Sequence, residues 1–295
     1  MSKLFKNIFT FLLAVGNAYA QLPRPLVNYP LGLSPVFDQG FFSGTASPPY
    51  TVQQWAPGKA PQACVNELAW NNCISGRAVV YNITYNDCNK PWVMCRCENA
   101  DLSINQMANF FGRMPVHLRS VVRHVMATHQ DGCSAYAITG PDDGDIVMQG
   151  NCNTQSVWLH ETGHQLDARG LGTGVGFSTS QIFTDALWND TCVADDYGNT
   201  APWEEFAQMT VVSQSHAIYG YIQQQQYPGC FDYQLAALEN AFKLSYLTYG
   251  GTCTTRIPPT PPVNAVWKRG VSRRGVKRVG PCKFDHLVTT HTHKH

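Results

Sequence analysis

The chain has 295 residues, 44% of them hydrophobic, and eleven cysteines, enough for one substantial core made in an oxidising compartment. The net charge of +1 hides a split: residues 21–256 carry 11 Lys/Arg and 19 Asp/Glu, a net −8, whereas residues 257–295 carry 8 Lys/Arg and only Asp285, a net +7. An acidic body argues against nucleic acid as a partner, and no apolar run beyond the first twenty residues approaches a membrane span.

Residues 1–20 have the form of a signal peptide. Lys3 and Lys6 precede a short apolar run, and Ala18-Tyr19-Ala20 is an A-x-A cleavage site, so the mature chain is expected to start at Gln21 and to be secreted. Residues 21–62, rich in Pro, Gly and aromatics, read as an extended arm over the core. Residues 63–100 form a Cys-rich part holding one clear strand, Arg77 to Tyr85, which is β-branched and aromatic.

Residues 103–126 are expected to be helical in two pieces broken at Pro115, the first around Ile104–Phe111 and the second around Val116–Val125. His117 and His124 in the second piece are read as packed or solvated side chains. Two strands follow, Ala135–Thr139 and Asp145–Gln149, across the turn signal Gly140-Pro141-Asp142-Asp143-Gly144. The helix predicted next, over 154–169, has Asn153 and Thr154 as candidate N-caps, Arg169 in its last turn and Gly170 after it. Gly163 inside this helix costs about 1 kcal/mol relative to Ala, which calls for a compensating close approach. The glycine-rich stretch 170–176 follows a helix where a dinucleotide fingerprint would follow a strand, so it reads as a loop beside the cleft.

Residues 178–188, 204–224 and 232–248 then look helical. The whole is an α+β body over 21–256, with a small twisted sheet and a central helix in the first half and a mostly helical second half. The tail over 257–295 is basic, Pro-rich and expected to be disordered, with dibasic pairs that suit processing or contact with a polyanion or cell wall. Ten cysteines in the body are expected to form five disulfides, leaving Cys282 in the tail odd. Asn82-Ile83-Thr84 and Asn189-Asp190-Thr191 are glycosylation sequons.

The chemistry sits in His160-Glu161-Thr162-Gly163-His164, an H-E-x-x-H pattern on the 154–169 helix. Positions i and i+4 share one face, so His160 and His164 can direct ring nitrogens at one Zn²⁺, and Glu161 can take a proton from the water that such a metal activates. A catalytic zinc needs a third ligand. The metzincin positions for Gly and His hold Asp167 and Gly170, which removes that class, and Asp195-Asp196-Tyr197-Gly198 matches the aspzincin motif only in part. Asp167 is read as support for the site, and the residues themselves leave Glu204 and Glu205 as candidates for the third ligand.

H-E-T-G-H-Q-L-D followed about forty residues later by Y-G-N-T-A-P-W-E-E-F-A-Q resembles the gluzincin-type catalytic domains of anthrax lethal factor and the Pro-Pro endopeptidases. The Cys-rich N-terminal part resembles secreted fungal conidiation-specific proteins. The first resemblance implies a zincin-like fold and a zinc metallopeptidase. In that family Glu204 would be the third ligand and Tyr197, seven residues before it, would stand over the cleft and donate its hydroxyl to the developing oxyanion. Glu205 would be a neighbour without an assigned role. Gln208 departs from the family, which often has an acid at this position. The expected partner is a peptide or protein substrate lying along the Asp145–Gln149 strand, with the protein acting as a monomer. The competing expectation is a catalytically silent zincin-fold protein of the secreted or cell-wall class.

Overall fold

A computed structural model of the chain describes residue 22, residues 26–74, 76–140, 142–173, 175–253 and 255–265, and the backbone of 282–283. The leader expected over residues 1–20, the start at Gln21 and the dibasic pairs of the tail lie outside the described residues. In chain order the first elements are β1 (Leu26–Val27), α1 (Ser34–Gly44), β2 (Tyr50–Gln54), β3 (Lys59–Pro61), α2 (Gln62–Trp70), β4 (Ala78–Tyr85) and β5 (Trp92–Cys97). They are followed by α3 (Ile104–Gly112), α4 (Val116–Ser120), β6 (His124–Thr128), β7 (Cys133–Ile138), β8 (Asp145–Gly150) and α5 (Gln155–Arg169). The second half is α6 (Gln181–Asn189), β9 (Cys192–Val193), α7 (Pro202–Tyr219), α8 (Asp232–Phe242), β10 (Pro262–Asn264) and β11 (Cys282–Lys283).

One seven-stranded sheet, in the order β11-β7-β8-β6-β5-β4-β2, forms the spine of this α+β fold. The pairs β5–β6 and β6–β8 are parallel and the others antiparallel. Every residue of β6 is buried, as expected of a central parallel strand covered on both faces. The hairpin β7–β8 forms as its turn signal predicts. It is β7, however, that lies toward the sheet's end, bridged there only by the two residues of β11, while β8 is enclosed between β7 and β6. The Asp145–Gln149 strand is therefore not an edge, and a peptide cannot add to it.

Three further expectations are corrected. The 21–62 arm contains α1 and the edge strand β2, and Phe37 and Phe41 of α1 are core residues. The second helical piece ends at Ser120, because the β-branched run beyond it feeds β6; α3 by contrast opens with a full capping box between Ser103 and Gln106. In the tail, the part up to Ala265 is an ordered strap. Val263 pairs opposite Ala60 in the β10–β3 ladder, the Ala63 N–H donates to Thr260 Oγ1 at 3.0 Å, and the Thr260 N–H points at His124 Nε2 at 3.2 Å. An extended Pro-rich segment makes no internal hydrogen bonds, so its remaining backbone groups are available to such partners.

Five disulfides use the ten cysteines of the body: Cys64–Cys95, Cys73–Cys97, Cys88–Cys253, Cys133–Cys152 and Cys192–Cys230. Cys133–Cys152 staples the hairpin to the approach of α5, and Cys88–Cys253 ties the start of the strap to the turn after β4. His124 is indeed packed: its Nδ1 lies 2.8 Å from Asp145, whose carboxylate also receives Arg123 at 2.6 and 2.8 Å. His117 is half-buried against Gly251. No described helix is long and apolar enough to cross a membrane.

The two sequons differ in setting. Asn189 is exposed at the end of α6, whereas Asn82 is half-buried on β4 with its Oδ1 accepting the Trp55 indole N–H at 2.8 Å. In protein expressed through the secretory route, glycosidase treatment followed by peptide mass spectrometry is expected to find the glycan at Asn189 and an unmodified Asn82.

Candidate metal centre

Helix α5 is set in place by residues distant in sequence. Thr154 stands at its N-cap without a capping side chain; Asp38 of α1 supplies the cap instead, accepting the Ser156 N–H at 2.8 Å. Burial pushes the Asp38 carboxyl up to about 6, partly offset by hydrogen bonds from Ser156 and Ser34. Near the other end, the Gln165 amide donates to the carbonyls of Ile138 and Asp145, which locks the helix over the β7–β8 hairpin. Gly170 ends the helix in the ordinary right-handed region, not the left-handed one expected of a C′ glycine; it is needed there for space, since a Cβ would come within 2.6 Å of the Phe242 ring.

The close approach anticipated at Gly163 is present. A Cβ there would lie 3.1 Å from both Ala207 Cα and Thr210 Oγ1, so small residues on α5 and α7 let the two helices meet almost backbone to backbone. That contact carries Glu204, in the first turn of α7, to the histidine face of α5. Gly163→Val is expected to separate the helices, costing about 1–3 kcal/mol of stability or more and opening the centre; thermal unfolding alongside metal analysis checks it.

The three side chains converge. Glu204 Oε2 lies 3.3 Å from His160 Nε2 and 3.2 Å from His164 Nε2, and the two Nε2 atoms are 3.0 Å apart. Among the described residues this is the one cluster of three or more potential ligands suited to a metal ion. Corners of a tetrahedron whose centre is about 2.0–2.1 Å from each are about 3.3–3.4 Å apart, so the set fits a small divalent ion with nitrogen and oxygen ligands. The proton positions agree. His160 Nδ1 faces Gln208 Oε1 at 3.1 Å, an atom that only accepts, so that nitrogen carries the proton and Nε2 presents its lone pair to the cluster. Burial by itself would raise Glu204, but when the His164 and His160 rings are protonated their charge and hydrogen bonds outweigh it and hold the carboxyl down to about 2. All three candidate ligands are buried, and Glu161, next to His160 on α5, is fully so.

The other residues singled out by the sequence surround this cluster in different ways. Tyr197 is half-buried, with its ring centroid 5.6 Å from that of His160. Asp167 is also buried. It accepts the backbone N–H and the hydroxyl of Ser178, both at 2.7 Å, and so fastens the glycine-rich loop behind the helix. Glu205 serves the fold instead of the cage. Its carboxyl accepts the Ala194 N–H at 2.9 Å and presses against Gly198, where a Cβ would come within 2.1 Å of Oε2. Burial pushes Glu205 well above the usual carboxylate range.

Sequence reasoning had noted Gln208 only as a departure from the family and had missed Asp195 as its partner. Gln208, one turn after Glu204, supports His160, and its Nε2 donates to Asp195 Oδ2 at 2.5 Å. The i, i+4 spacing of Glu204 and Gln208 was the available signal for the first; nothing local marks Asp195. The N-terminal residues also lie here. Leu22 donates to the Asn199 carbonyl, β1 runs parallel to β9, and Asn28 and Tyr29 donate to Val193 and Ala194, so the segment bearing Tyr197 is braced from outside.

The chain is 33% identical over 186 residues to conidiation-specific protein 13 of Neurospora crassa, an alignment covering 62% of this chain and 54% of that protein. It thus spans about half the length of that curated relative. No solved structure matches. The family described as conidiation-specific protein Con-13 matches residues 32–253, which include α1, the sheet's strands from β2 to β8, all five disulfides and the whole His160–His164–Glu204 cluster, and the chain belongs to that family.

Proposed function

We propose that this protein is a secreted zinc metallopeptidase of gluzincin type and zincin-like fold. The observation that carries the reading is the convergence of His160, His164 and Glu204 within 3.3 Å of one another, with Glu161 next to His160 on α5. The donor set of two imidazoles and one carboxylate suits Zn²⁺ and leaves a fourth position for substrate or water. Zinc held there would supply a Lewis acid and lower the pKa of water towards about 7.

The rest is the work of the chain's own groups. Glu161, held in a water-poor setting, accepts the proton of the attacking water and returns it to the leaving amine. The Tyr197 hydroxyl donates to the oxyanion that develops on the scissile carbonyl, where a preorganised donor counts most. Gln208 keeps His160 in the tautomer that offers Nε2. Five disulfides support placement outside the cell, and the net +7 of residues 257–295 supports contact with a polyanion or wall polymer.

The burial of Glu161 favours one second reading, a zinc-holding wall or surface protein without turnover. Elemental analysis of the purified secreted chain, followed by digestion of a peptide library with and without chelator, separates the readings. One zinc per chain with chelator-sensitive cleavage supports the peptidase. Zinc without cleavage supports the silent protein, and a chain that takes up no metal defeats both.

A further inference from the structure

We propose that Asp195 is a positioning residue that acts on the metal cage through Gln208 and on Tyr197 through the turn that follows it, joining the two halves of the catalytic machinery in one carboxylate. The inference rests on the metallopeptidase reading. Asp195 is buried, and its two oxygens face different ways: Oδ2 accepts the Gln208 amide at 2.5 Å and Oδ1 accepts the Gly198 N–H at 2.8 Å, one residue past Tyr197. Gln208 passes the first contact on, its Oε1 accepting His160 Nδ1 at 3.1 Å, and the Tyr197 ring closes the circuit against His160.

The polarity of this chain is fixed by donor and acceptor counting. His160 Nδ1–H needs an acceptor, so the Gln208 amide must turn its oxygen inward and its NH₂ outward, and Asp195 is the acceptor that makes that orientation the stable one. Interposing a neutral amide keeps the full negative charge one group away from the imidazole. The order imidazole–amide–carboxylate is one of two that satisfy every bond; the other is imidazole–carboxylate–amide.

The test exchanges the two groups. Gln208→Glu alone sets two carboxylates against each other at the 2.5 Å contact. Asp195→Asn alone leaves one amide N–H facing a donor, either Gly198 N–H or the Gln208 amide. In the double variant Gln208→Glu/Asp195→Asn, the new glutamate accepts from both His160 and the new asparagine, whose oxygen still accepts the Gly198 N–H. Each single variant is expected to lose about 10–100-fold in zinc affinity by chelator competition, with an altered visible spectrum of the Co²⁺ form. The double variant is expected to return zinc affinity to within about threefold of the parent and to restore the cobalt spectrum. At saturating zinc, Asp195→Ala, which leaves the Gly198 N–H without its side-chain acceptor, is expected to lower kcat by about tenfold with KM unchanged, because it loosens the Tyr197 turn.

Single variants with parental zinc affinity, or a double variant no better than the weaker single one, overturn the relay. An unchanged kcat in zinc-loaded Asp195→Ala overturns the link to Tyr197. A parent that binds metal without cleaving peptides removes the peptidase reading while leaving the affinity and spectral test of the relay intact. A parent that binds neither zinc nor cobalt overturns both.

Discussion

Replacing Glu161 by Gln is expected to leave one zinc per chain and to reduce peptide cleavage by about 10²–10⁴-fold, the usual contribution of a positioned general base. The exchange is close to isosteric, so the fully buried site should neither collapse nor open a void. The three cage atoms belong to other residues, so metal affinity should stay near that of the parent. What is lost is the capacity to take a proton, since an amide oxygen is a far weaker base than a carboxylate. Removing a buried carboxylate also relieves a desolvation penalty, so the thermal midpoint should hold or rise in the same sample. Metal analysis, a library digest and a melting curve on one preparation decide the matter. Undiminished cleavage by Glu161→Gln sinks the assignment of the base, and loss of zinc would show that Glu161 is itself a ligand.

Features encoded locally were legible in the sequence. The H-E-x-x-H helix, the β7–β8 hairpin and the strand over 77–85 follow from periodicity, turn chemistry and β-branched residues that act within a few positions of one another. Helix α1 was hidden for a physical reason. Its Gly40 and Gly44 look like breakers, yet a Cβ at Gly40 would meet the Tyr219 ring at 3.0 Å and one at Gly44 would meet Ile218 at 2.5 Å. These glycines serve close packing against α7, a contact that spans more than 170 positions and leaves no local trace. Asp38 as the cap of α5 is hidden in the same way, because the helix's own Asn153 and Thr154 satisfy every local rule for the role. The relay through Asp195 depends on how the segment after β9 folds back on α7, and its residues had drawn notice only as part of a motif that failed to match. The strand order was out of reach as well, since placing β8 between β7 and β6 requires the parallel crossover to β6 and not the hairpin alone.

The assignment of Glu204 can be tested against its own neighbour, because two adjacent glutamates at the start of α7 do different things. Glu204 turns toward the histidines and is held ionised by them, while Glu205 turns toward the Ala194 N–H and is pushed by burial toward its neutral form. Glu204→Ala is therefore expected to weaken zinc binding by more than about 100-fold, beyond what loss of a mere supporting partner causes. Removing the carboxylate leaves two imidazoles whose nitrogens face each other at 3.0 Å, an arrangement with one anionic ligand fewer and a geometry that no longer closes on an ion. Glu205→Gln is expected to keep zinc at parental affinity, since an amide oxygen can still accept from Ala194 and the cage atoms are untouched. Chelator competition on the two variants reads out the register of α7 directly. Stoichiometric, tightly held zinc in Glu204→Ala together with its loss from Glu205→Gln would shift the third ligand by one residue, and with it every role argued from the face that Glu204 shares with Gln208.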